Sequence, residues 1–102
     1  MSKTPEEIKA VIEQEIGGDW SRSNLHGCDL HRCLVEPVKR QYENSFKKGE
    51  ELTLWLVLEE CPEEPDTGYK IVFDEETGDF GLVTSGAFIG FYGTFLKTFE
   101  SM

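Results

Sequence analysis

The chain has 102 residues, 38% of them hydrophobic and 12% aromatic, enough for one domain with its own core and unlike a disordered segment. Twenty acidic residues against ten basic ones give a formal charge of −10, which excludes nucleic acid, whose phosphates need Lys and Arg, and an anionic membrane surface. With no apolar run near the roughly 20 residues of a membrane span, no signal-peptide pattern and an odd three cysteines, the expectation is a single reduced, cytoplasmic domain over residues 1–102.

Thr4-Pro5-Glu6-Glu7 reads as a helix start, with Thr4 at the N-cap, Pro5 in the first turn and Glu7 placed to close a capping box. Ile8, Val11, Ile12 and Ile16 follow at spacings of three and four, an apolar stripe that Gly17-Gly18 ends. On the polar face Lys9 and Glu13 are spaced for an i,i+4 pair. Residues 19–27 are polar around Trp20 and read as a surface loop. From residue 29 to residue 42 a helical spacing (Leu30, Cys33, Leu34, Val38, Tyr42) competes with one strand face (Leu34, Val38, Tyr42, with Glu36 and Arg40 between them). Pro37 decides for a strand over residues 34–43, at an edge or bulge, preceded by a single helical turn. Residues 44–49 then form a hairpin connection.

Residues 52–60, Leu-Thr-Leu-Trp-Leu-Val-Leu-Glu-Glu, are the most apolar run and predict the central strand. Leu52, Leu54, Leu56 and Leu58 share one face, the expected floor for the helices, and Thr53, Trp55 and Val57 share the other. Residues 61–68 hold two prolines and a glycine and read as a loop. Residues 69–73 and 80–84 predict a hairpin around Asp74-Glu75-Glu76-Thr77-Gly78-Asp79, whose glycine suits the left-handed position after a type I turn. Phe88, Tyr92, Phe95, Leu96 and Phe99 recur at helical spacing and predict a closing helix from Phe88 or Phe91 to Glu100. Gly86, Gly90 and Gly93 would lie in one sector of that helix and let it pack closely. The order α-β-β-β-β-α predicts an α+β fold, a two-layer sandwich in which an antiparallel four-stranded meander carries the N- and C-terminal helices on one face.

Three groups of residues bear on chemistry. His26, Cys28, His31 and Cys33 lie within eight residues and are ligand types that zinc takes, but one short peptide would have to wrap the ion alone. The same cysteines, or Cys61, lack the cationic surroundings and the nucleophile-elbow pattern of a catalytic thiolate. Glu59, Glu60, Glu63, Glu64 and Asp66 gather around one loop, and Asp74, Glu75, Glu76 and Asp79 in one turn. Arg32, Lys39, Arg40, Lys47 and Lys48 cluster earlier, so the chain is polarised in sequence. The acidic spacing matches no EF-hand loop. The expectation is a non-enzymatic domain without a cofactor that binds a basic protein partner through these carboxylates, as a small inhibitor, an immunity-type protein or an adaptor would. The alternatives are a metal or thiol site at residues 26–33 and a small-molecule pocket between the aromatic C-terminal helix and the sheet.

Overall fold

Helix α1 (Pro5–Ile16) starts as its sequence dictates: the Thr4 hydroxyl accepts the Glu7 N–H at 3.3 Å, and the Glu7 carboxylate accepts the Thr4 N–H at 3.3 Å. Gly17 closes it in the left-handed conformation. A computed structural model describes residues 4–21, 30–44, 47, 49–60, 68–84 and 87–102, and the expected loops at residues 19–27 and 61–68 fall largely outside them. After α1 come α2 (Leu30–Cys33), β1 (Leu34–Asn44), β2 (Glu51–Glu59), β3 (Tyr69–Phe73), β4 (Phe80–Thr84), β5 (Ala87–Gly93) and α3 (Phe95–Ser101). The single helical turn before β1, the hairpin between β1 and β2 and the hairpin between β3 and β4 agree with the sequence reading. Pro37 lies where the β1–β2 register shifts, a position at which a missing N–H disturbs no ladder bond.

The fold is α+β with helices packed on a sheet, but the sheet has five strands and closes into a barrel in the order β1-β2-β3-β4-β5. The four-stranded two-layer meander is therefore corrected. Neighbours in the chain pair antiparallel, and the barrel closes through a short parallel contact in which Glu43 faces Ala87 and Asn44 faces Phe88. The added strand is β5, in the stretch whose aromatic spacing suggested a helix. Gly90 and Gly93 take φ of +152° and +96°, outside any right-handed helix, and their bulges break the period-two pattern that would have marked a strand. Gly81 of β4 lets the two strands meet: a Cβ there would come within 2.5 Å of the Gly90 carbonyl oxygen. The closing helix is consequently only Phe95–Ser101.

The core has two compartments divided by the wall of β2, β3 and β4. Tyr42, Leu54, Leu56, Val72, Val83 and Phe88, one or two from each strand and none from a helix, fill the barrel interior. On the outer side Ile8, Ile12 and Ile16 of α1, Leu30 and Cys33 of α2, and Phe95 and Phe99 of α3 pack on Trp55, Val57, Leu58, Ile71, Phe73, Phe80 and Leu82. The helices thus rest on the Trp55–Val57 face, and Leu54 and Leu56 look inward, the reverse of the expected floor. Leu58 crosses to the outer side because the β2–β3 register slips between Leu56 and Leu58. A run of rings ties the outer layer together, with centroids 4.7 Å apart for Phe73 and Phe80, 5.7 Å for Phe80 and Phe95 and 6.1 Å for Phe95 and Phe99.

Candidate functional site

The turn between β3 and β4 is held by its own backbone and short side chains. Asp74 N–H donates to the Asp79 carbonyl at 2.9 Å, and Gly78 N–H to the Asp74 carbonyl at 2.8 Å. The Asp74 carboxylate accepts the Glu76 N–H at 2.9 Å, and the Thr77 hydroxyl accepts the Asp79 N–H at 3.3 Å. Among the described residues Asp74, Glu76 and Asp79 have no ion-pair partner, and Glu76 is exposed.

Glu75 behaves differently. One of its oxygens accepts the Trp55 indole N–H at 3.2 Å and the other pairs with the Lys39 ammonium at 3.0 Å. Lys39 and Trp55 face each other across the β1–β2 ladder, and the Lys39 nitrogen stands 5.3 Å from the centroid of the Trp55 ring. Sequence reading placed Glu75 among the partner-binding carboxylates without Lys39 and Trp55, which only the strand register brings to it.

The other acidic stretch sits at the opposite end of β3. Glu59 and Lys70 are paired in register, so Glu59 and Glu60 flank the start of β3, and the Asp74 turn follows its end about 13 Å away at the usual rise per residue. The Glu60 backbone N–H donates to the Tyr69 carbonyl at 2.9 Å, and the Glu60 carboxylate accepts the Tyr69 N–H at 3.4 Å. Glu63, Glu64 and Asp66 lie outside the described residues. Glu59 and Glu60 are therefore on a separate surface from the Asp74 turn. Register instead groups the Asp74 turn with the β1–β2 hairpin, since β2 runs back from Trp55, opposite Phe73, to Glu51, opposite Glu43.

The polarity of the sequence is partly cancelled in space. Besides Lys39 and Glu75, Lys47 pairs with Glu50 at 3.2 Å, and Lys9 reaches across to Glu36 of β1 rather than along α1 to Glu13. The Glu36 hydrogen bond raises the Lys9 pKa, and the Lys47 hydrogen bond lowers that of Glu50.

Of the histidine–cysteine group, His26, Cys28 and the His31 side chain lie outside the described residues. Cys33 is buried, its thiol donating weakly to the Glu60 carbonyl at 3.7 Å, in the role of a small core side chain. Among the described residues no three His, Cys, Asp or Glu are placed to hold a metal ion, and no helix is long and apolar enough to cross a membrane. The interface expected to hold a small molecule is filled by Phe95 and Phe99, which are almost fully buried. A cleft of about 320 Å³ lies between α1 and the start of β1, lined by apolar residues such as Ile12, Leu30 and Leu34 together with Lys9, Glu13 and Glu36. Compared with known proteins, the chain matches no family model, no curated protein and no solved structure.

Proposed function

We propose that this protein is a small non-enzymatic domain that binds a basic protein partner, with the β3–β4 turn as the main contact. The supporting observation is the locked turn, in which Asp74, Glu76 and Asp79 have no ion-pair partner among the described residues. A turn backbone already fixed in place loses little conformational entropy on binding, and a charge of −10 steers a basic partner toward its carboxylates. Glu59 and Glu60 form a second, smaller acidic edge at the far end of β3. An inhibitor, an immunity-type protein or an adaptor would each use such a surface.

The test is capture of a partner by the immobilised domain at low and at moderate salt, beside the triple variant Asp74→Asn, Glu76→Gln, Asp79→Asn. The amide at position 74 keeps an acceptor for the Glu76 N–H, so the turn is retained. The expected result is a basic partner whose affinity falls about tenfold or more with added salt and by a similar factor in the variant. A partner held equally by both proteins at both salt concentrations contradicts the proposal.

A further inference from the structure

The Lys39–Trp55–Glu75 contact has the parts of an ammonium-binding site. It offers an indole face, a carboxylate directed at the same point, and an ammonium group 3.0 Å from the carboxylate and 5.3 Å from the ring centroid. We infer that Trp55 and Glu75 form a seat for a Lys or Arg side chain of the partner, occupied in the free protein by Lys39. The inference rests on the acidic turn being the recognition surface and names which cation is read there.

The seat and its occupant differ in how firmly they are held. Trp55 is only 8% exposed and packs within the outer core. Its N–H fixes the far oxygen of Glu75, so the carboxylate keeps its orientation whether or not Lys39 is present. The Lys39 side chain is 42% exposed on a flexible four-carbon stem, against 19% for Glu75, so the lysine is the looser partner of the pair. An incoming cation exchanges one ammonium–carboxylate contact for another. It also gains the field of Asp74, Glu76 and Asp79, which flank Glu75 in the same turn.

Tetralysine serves as the probe, titrated at low salt into wild-type protein and variants by calorimetry, with the Trp55 indole N–H resonance followed by NMR in parallel. Lys39→Ala removes the Lys39 ammonium from the seat. Lys47→Ala makes the same change in net charge without vacating the seat and is the control. Lys39→Ala is expected to bind tetralysine about three- to tenfold tighter than Lys47→Ala does, with a shift of the Trp55 resonance. The gain is expected to vanish in Lys39→Ala/Glu75→Gln, whose glutamine still accepts the Trp55 N–H. Equal affinities for the two single variants, a gain that survives Glu75→Gln, a motionless Trp55 resonance or no binding at all would each overturn the seat. Failure here alongside salt-sensitive capture of a basic protein leaves the acidic turn standing; tetralysine binding at the seat without such capture does the converse.

Discussion

Inside the barrel the Tyr42 hydroxyl is buried without a hydrogen-bond partner among the described residues. A buried orphan donor costs free energy, so Tyr42→Phe, which keeps the ring, should leave stability at neutral pH unchanged or raise it by about 1 kcal/mol. Burial also pushes the phenol pKa from 10.0 up to about 12, with Arg40 pulling it down and Glu59 adding to the rise. The fold therefore favours the neutral phenol. Its contribution is complete below the unfolded value of 10.0 and is lost as pH rises toward 12, at no more than about 1.4 kcal/mol per pH unit. Urea unfolding of wild type and Tyr42→Phe at pH 9 and pH 11 reads the difference: the wild type should lose more stability than the variant over that interval. Parallel losses would mean that the phenol is solvated. Little of this residue-scale detail was legible in the sequence, because a side chain's partners depend on register. Glu75 meets a tryptophan 20 positions away, and nothing local in Asp-Glu-Glu-Thr-Gly-Asp separates it from Glu76.

The C-terminal helix depends most on its neighbours. α3 has seven residues, too few to persist alone in water, and its start is satisfied from two sides. The Thr94 hydroxyl accepts the Lys97 N–H at 3.2 Å, and the Glu15 carboxylate of α1 accepts the Phe95 and Leu96 N–H groups at 3.2 and 3.1 Å. One carboxylate thus ties the two terminal helices together. Glu15→Ala should destabilise the protein by about 1–3 kcal/mol, and Glu15→Gln, with a single amide oxygen, by less. Thermal unfolding by circular dichroism checks the order, and equal stability of all three proteins would show that the clamp carries no weight. Elements were legible where local signals agreed: the Thr4–Glu7 box began α1, Pro37 marked the bulge in β1, and the acidic hairpin lay where its turn residues put it. They were not legible where tertiary pairing overrode a pattern. Phe88, Tyr92, Phe95 and Phe99 are spaced as on a helix, yet strand pairing against β4 and the two positive-φ glycines claim the first part of that run. The leucine row failed for a related reason, since one slipped register sends Leu58 to the opposite side from Leu54 and Leu56.

The molecule as a whole is asymmetric in how firmly it is closed. β2, β3 and β4 are clamped between the barrel interior and the helices, and Val57, Leu58, Ile71, Val72 and Val83 are fully buried there. Among the described residues, the seam between β1 and β5 is paired only where Glu43 meets Ala87 and Asn44 meets Phe88, in the less stable parallel geometry. Glu43 also stands opposite Glu51 across the β1–β2 ladder, a like-charge pair at the seam itself. Opening should therefore begin at the seam and spread to the helix-covered wall only on global unfolding. Native-state hydrogen exchange tests this: amides of residues 43, 87 and 88 should exchange through a lower-energy opening than those of Val57, Ile71 and Val72. Uniform protection around the barrel would instead mean that it opens only as a unit. If the seam does open first, the Asp74 turn still stays in place, because it joins β3 to β4 within the firm wall. Stability is thus concentrated beneath the proposed recognition surface, and the weak closure lies at the β1–β5 seam.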